Sequence, residues 1–247
     1  MTASCLARPL ATLAVLLAAA GLAGGCESRS RELQPGSYRA VIELPGGELP
    51  FGLEVAREND RPVLLLVNGE ERLRVEDVVV VEGQVTAKLA GPGNTLTARV
   101  TGKRLEGEVS MHSPGGGREA LPFRAELGQT WRFFEAPSTD NADVSGRWTV
   151  TFVGGQGAGG SGDVGGSGTA ELKQSFELVT GRFATPSGES GLLAGEMHGD
   201  ELYLSRFDGA SATLWRARVA GDGALVGEYW SGGSELRRFR AVRSTAD

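Results

Sequence analysis

What is scarce in this chain narrows its chemistry before anything else does. The only cysteines are Cys5 and Cys26, so no thiol follows Cys26 and no disulfide framework can form in the body of the protein. Histidine is limited to His112 and His198, which leaves little for a His-rich metal site or an imidazole base. A cationic excess is missing as well. Lys and Arg total 25 against 31 Asp and Glu, a formal charge of −6, so the footprint of a nucleic-acid binder is absent. Aromatic side chains are few, 9 Phe, 4 Trp and 3 Tyr, whereas there are 38 Gly, a balance that suggests many turns joining short segments rather than long helices. With 40% apolar residues the chain can still fill a core, which argues against global disorder.

The amino terminus is a targeting segment. A polar start with Arg8 precedes Leu10–Leu22, apolar except for Thr12. That run is short of the roughly 20 apolar residues of a membrane-spanning helix and fits a signal-peptide core. Ala23, Gly24 and Gly25 lead directly into Cys26, which resembles a bacterial lipoprotein lipobox with Leu22 displaced by one position. The resemblance implies that residues 1–25 are removed and that Cys26 is acylated. Acyl chains contribute about 0.8 kcal/mol per buried CH₂, enough for firm anchoring. Glu27 after the cysteine implies sorting to an outer membrane, with the protein facing the periplasm. Residues 26–34, polar after the cysteine, read as a tether.

From Tyr38 to Val242 the dominant signal is alternation. Leu96, Ala98 and Val100 point one way and Thr97 and Arg99 the other; Trp148, Val150 and Phe152 alternate with Arg147, Thr149 and Thr151. Turn formers such as Pro45-Gly46-Gly47, Asn68-Gly69 and Gly221-Asp222-Gly223 separate these runs. The two halves also resemble each other. Leu96-Thr-Ala-Arg-Val100, Leu105-Glu-Gly-Glu108 and Leu121-Pro-Phe-Arg-Ala125 correspond to Trp215-Arg-Ala-Arg-Val219, Leu225-Val-Gly-Glu228 and Arg238-Phe-Arg-Ala241. The openings match too, Pro35-Gly-Ser-Tyr38 with Val144-Ser-Gly-Arg-Trp148. The fold expected is all-β: two tandem antiparallel meanders over 35–128 and 144–243, joined by a linker at 129–143. Closure of each into a small barrel, similar to a lipocalin, would remove exposed edges.

Tests for catalytic and cofactor motifs come out thin. Gly155-Gln-Gly157-Ala-Gly159-Gly160 satisfies G-x-G-x-x-G, but no helix pattern follows to receive a pyrophosphate, and the run 154–168 reads as a long hairpin loop. One Asp in that loop supplies too few oxygens for calcium. Neither His adjoins a nucleophile motif, and carboxylate pairs such as Glu70-Glu71 fall in turns. No catalytic residue, metal site or cofactor is expected. Two groups of aromatic residues are candidates for ligand or partner contact: Trp131, Phe133 and Phe134 in the linker, and Trp148 and Trp215, with Phe152, Phe183 and Tyr229, as walls of a cavity in the second barrel. The competing role for both groups is packing.

One resemblance covers the chain from Pro35 to Val242. Val179-Thr-Gly-Arg-Phe-Ala-Thr-Pro-Ser-Gly188, Gly191-Leu-Leu-Ala-Gly195 and Leu202-Tyr-Leu-Ser-Arg-Phe-Asp-Gly209 resemble the β-rich region preceding the thioredoxin domain in TlpA-like thiol-disulfide oxidoreductases. Leu49-Pro-Phe51, Val67-Asn-Gly-Glu70 and Leu121-Pro-Phe123 are similar to its upstream portion. The redox chemistry of that family belongs to a Cys-x-x-Cys pair that this sequence does not contain. The resemblance therefore implies an accessory role beside an envelope or thioredoxin-like partner, not an enzyme. The expectation is a lipid-anchored binding module without affinity for nucleic acid; the alternative is a carrier of a small apolar ligand.

Overall fold

The computed structural model describes residues 31–112, 117–155, 166–185, 188–233 and 235–244. Cys26, the segment predicted to be a targeting signal and most of the Gly-rich run lie outside the described residues. The first eight strands are β1 (Gly36–Leu44), β2 (Gly47–Glu58), β3 (Arg61–Asn68), β4 (Glu71–Val81), β5 (Gln84–Lys88), β6 (Thr95–Thr101), β7 (Arg104–His112) and β8 (Arg118–Leu127). Each pairs antiparallel with the next, and β1 pairs with β8, Tyr38 opposite Leu127, so the sheet closes into a barrel.

The second half contains β9 (Gly146–Gly155), β10 (Ser167–Ser175), β11 (Leu178–Thr185), β12 (Gly188–Glu189), β13 (Leu193–His198), β14 (Glu201–Phe207), β15 (Ala212–Val219), β16 (Leu225–Ser231) and β17 (Glu235–Arg243). Here β9 pairs with both β10 and β17, and β10 pairs with β11, which closes a second eight-stranded barrel. The short β12 is a rung on the end of β11. The protein is thus all-β, two closed antiparallel barrels in tandem.

Period-2 patterning builds both interiors. Along β2, Leu49, Phe51, Leu53 and Val55 are buried in barrel 1. Along β9 and β15, Trp148, Val150, Phe152, Trp215 and Ala217 are buried in barrel 2. Each large apolar side chain taken fully from water contributes roughly 1.5–3 kcal/mol.

The internal repeat extends to atomic detail. The Tyr38 hydroxyl donates to the Gln34 carbonyl at 2.7 Å, and the Trp148 indole N–H donates to the Val144 carbonyl at 2.9 Å, each four residues back. Gly107 faces Ala98 and Gly227 faces Ala217 in the strand ladders. A Cβ on either glycine would lie 2.0 Å from a neighbouring carbonyl oxygen, that of Thr97 or Arg216.

One expected element is shorter than its sequence suggests. The tether predicted over 26–34 does not run free to residue 34, because Leu33 is 4% exposed and packs into the barrel 1 core. Gln34 donates to the Gly102 carbonyl and Arg57 pairs with Glu32 at 2.8 Å. One apolar residue in a polar segment suffices to dock it.

The barrels meet end to side. The turns β1–β2, β3–β4 and β5–β6 all lie at one end of barrel 1. Trp230 covers Gly46, Asn68 bonds to Phe207, and the Asn94 amide donates to the Gly209 carbonyl at 3.0 Å. The barrel 1 core continues into Phe207, Ala212, Leu214 and Trp230 of barrel 2, with Phe51 and Phe207 ring centroids 4.8 Å apart. Barrel 2 therefore stoppers that end of barrel 1.

Candidate functional site

The predicted aromatic residues separate into two places. Trp148, Phe152, Phe183, Trp215 and Tyr229 converge inside barrel 2, where Trp215 lies 4.6 Å from Tyr229 and 5.0 Å from Phe183 between ring centroids. Trp148 is sealed among Val150, Leu172 and Ala241. Of these, Trp148, Phe183 and Trp215 line a wholly apolar cavity of about 30 Å³, space for about one water and far below the roughly 300 Å³ of a small-molecule pocket.

Trp131, Phe133 and Phe134 lie outside both barrels, on the linker. The Arg39 guanidinium sits 3.7 Å from the Trp131 ring centroid. Phe134 stacks on His198 at 4.4 Å and meets Tyr203 edge-on at 5.1 Å, while Phe133 lies 5.4 Å from Tyr203. The linker is thereby laid against β1 on one side and against β13 and β14 on the other.

A polar cluster holds it there. Glu196 on β13 is 5% exposed. Its carboxylate accepts the backbone N–H groups of Arg132, Phe133 and Phe134 at 3.0, 3.2 and 2.9 Å. Three converging N–H donors satisfy a buried carboxylate without a direct ion pair. The Arg132 guanidinium donates to the Ser205 hydroxyl and carbonyl, both at 3.0 Å, and to the Asn68 side-chain oxygen at 3.3 Å. Burial pushes Arg132 down to about 9 against the pull of Glu196, so it remains a cation at neutral pH.

Asn68 is fully buried and acts as a surrogate strand rung. Its amide donates to the Phe207 carbonyl at 2.9 Å and its oxygen accepts the Phe207 N–H at 3.2 Å. Arg39, 8% exposed, donates to the Arg132 carbonyl at 2.9 Å and pairs with Glu48 at 3.2 Å. Burial lowers Arg39, and Glu48 partly restores it. For Glu48 burial raises the carboxyl, but Arg39 and Arg124 together hold it below its ordinary value.

Between the linker and the two barrels lies a cleft of about 270 Å³, lined by Arg39, Val67, Trp131, Arg132, Thr180 and Glu196 among others. A groove of about 220 Å³ adjoins it through Arg39 and Gln129 and carries Arg104, Glu106 and Arg124. Their linings bring together both signs of charge and the half-buried Trp131 ring. Among the described residues, no group of three or more His, Cys, Asp or Glu is placed to hold a metal ion.

Sequence reading found the aromatics of this site but missed Arg39, Asn68, Arg132, Glu196 and Ser205. Asn68 read as a turn residue, and nothing in the sequence singled out the others. The structure buries Leu193–Met197 on both faces, as a strand pressed from outside must be.

No family model matches the sequence, and no curated protein matches it. Among solved structures, the chain is similar to a protein of unknown function from the DUF3598 family of Nostoc punctiforme, with 13% identity over 85% of this chain and 96% of that chain. The TM-score is 0.28, and no activity follows from the likeness.

Proposed function

We propose that the chain is a lipid-anchored, non-catalytic binding module of the bacterial cell envelope, working through the surface where its two barrels and linker meet. The observation that carries this reading is the contrast between a filled interior and an open exterior. The barrel 2 cavity is about 30 Å³, whereas the interbarrel cleft is about 270 Å³ and gathers buried charge from three separate segments. The lipobox-like run before Cys26 supports acylation and a periplasm-facing outer-membrane location. The likeness of Val179–Gly209 to the region preceding a thioredoxin domain supports a thiol-disulfide protein as partner.

One observation favours a carrier instead: the barrel 2 cavity is lined without a polar atom. To admit an acyl chain, rings that line the cavity, such as Phe183 and Trp215, would have to swing aside.

Native mass spectrometry of the protein extracted from its own membrane separates these readings. An acyl mass on Cys26 together with a co-purifying protein is the expected result; the protein is lost and the acyl mass kept when Trp131→Ala and Arg39→Ala disrupt the cleft. A stable extra mass of small-molecule size, retained in those variants and lost with Trp215→Ala, would replace the module reading with the carrier.

A further inference from the structure

The described residues fix where the chain enters barrel 1. In an up-and-down barrel the turns β2–β3, β4–β5 and β6–β7 share one end with the start of β1. The residues leading into β1 lie across that end: Arg31 rests on Gly83, whose added Cβ would be 2.7 Å from the Arg31 Cβ; Glu32 pairs with Arg57; and Gln34 bonds to Gly102. With Leu33 buried, the strap is fixed to the barrel from residue 31 onward. Arg31 is five positions after Cys26, a reach of at most about 18 Å when fully extended.

The same end carries an apolar patch. Val79 and Val81 on β4 are 54% and 61% exposed, beside the Glu82-Gly83 turn and within a shallow depression shared with Arg31 and Arg99. Arg31, Arg57, Arg61, Arg99, Lys103 and Arg104 stand against Glu32, Glu58, Asp60, Glu82 and Glu126 there, so a chain of net charge −6 turns a nearly neutral end toward the anchor. A neutral, apolar-tipped surface meets a phospholipid leaflet without the repulsion an acidic one would suffer.

We infer that this end of barrel 1 is a membrane-docking surface: Val79 and Val81 lie in the headgroup layer of the leaflet that holds the Cys26 acyl chains. The inference rests on the lipid anchor proposed above. Barrel 2 packs on the opposite end and is held away from the membrane by the height of barrel 1. The nine residues of β1, at about 3.3 Å rise and a tilt of about 40°, make that wall roughly 23 Å tall. The interbarrel cleft then stands clear of the lipid, open to a partner in the aqueous space.

The absence of cysteine after residue 26 makes the test clean. Single Val79→Cys, Val81→Cys, Phe176→Cys and Val242→Cys variants of the acylated protein are spin-labelled and reconstituted in vesicles of phosphatidylethanolamine and phosphatidylglycerol. Collision with dissolved oxygen is then compared with collision with a water-soluble nickel chelate. Labels at 79 and 81 are expected to favour oxygen severalfold over labels at 176 and 242, both exposed sites on barrel 2. Two adjacent positions guard against a variant that does not fold. Equal aqueous exposure at all four sites, with acyl mass present on Cys26, overturns the docking surface and leaves the anchor standing. Oxygen preference at 176 or 242 alone overturns it in favour of barrel 2 lying on the leaflet. An unacylated Cys26 removes the anchor and the docking surface together.

Discussion

Glu196 shows how one side chain can fix the path of a linker. Its carboxylate accepts three consecutive N–H groups, so removing it leaves three half-buried donors without their acceptor. Glu196→Ala is expected to cost about 2 to 4 kcal/mol, and Glu196→Gln, which keeps the acceptor oxygen, clearly less. Urea midpoints of the two variants check this, and equal losses would mean that charge rather than donor pairing dominates. Trp215 belongs to the opposite regime, since it bonds through shape alone within a ring cluster. Trp215→Ala should lose about 3 to 5 kcal/mol. A loss below about 1 kcal/mol would show that the barrel 2 interior collapses easily around an absent ring, a property suited to a carrier.

Strands are the part of this fold that alternation makes legible. Leu96, Ala98 and Val100 predicted an inward face and are buried; Arg147, Thr149 and Thr151 predicted an outward face and are exposed. The repeat was legible as well, and its Leu-x-Gly-Glu segments now have a physical cause. Gly107 and Gly227 let β7 and β16 approach β6 and β15 where any Cβ would strike a carbonyl. Gly107→Ala and Gly227→Ala should each destabilise by about 1 to 3 kcal/mol through forced displacement of the paired strand, read as a drop in thermal midpoint. The interbarrel site was not legible, for the converse reason. Arg132 lies 64 residues from Glu196 and Asn68 lies 139 from Phe207. Periodicity reports which face a residue occupies, and only the docking of one barrel on another decides that an outward Glu196 or Ser205 is buried. The short tether escaped sequence reading because one Leu among polar residues carries no period at all.

As a whole the molecule is two similar halves that share one core at their junction. Barrel 1 completes its core with Phe207, Leu214 and Trp230 of barrel 2, so unfolding barrel 2 exposes the mouth of barrel 1. All four tryptophans fall at residue 131 or later, so their fluorescence reports the linker and barrel 2, while far-ultraviolet circular dichroism reports both barrels. The two urea transitions should coincide; an earlier fluorescence transition would mean that the barrels are independent. Acid should weaken this unit. Ser145 N–H holds the Asp143 carboxyl below its ordinary 3.8, Arg218 and Tyr203 hold Glu201 below 4.5, and Ala224 N–H with Arg240 holds Asp222 below 3.8. Groups with folded values below unfolded ones add stability that is complete above the unfolded value and lost as pH falls through the folded one. Urea midpoints should therefore stay level from pH 7 to about 5 and fall below about 4, with a rise on acidification contradicting the assignment. The closure of each barrel also sets the tempo of its formation. Tyr38 pairs with Leu127 and Trp148 with Arg243, so the first strand of each half waits for the last. A chain emerging amino terminus first presents an unclosed, apolar-faced sheet until β8, and again until β17, is available. Such long-range pairing belongs to the millisecond-to-second class of folding rates, and that interval is when a holding chaperone has the most to offer this protein.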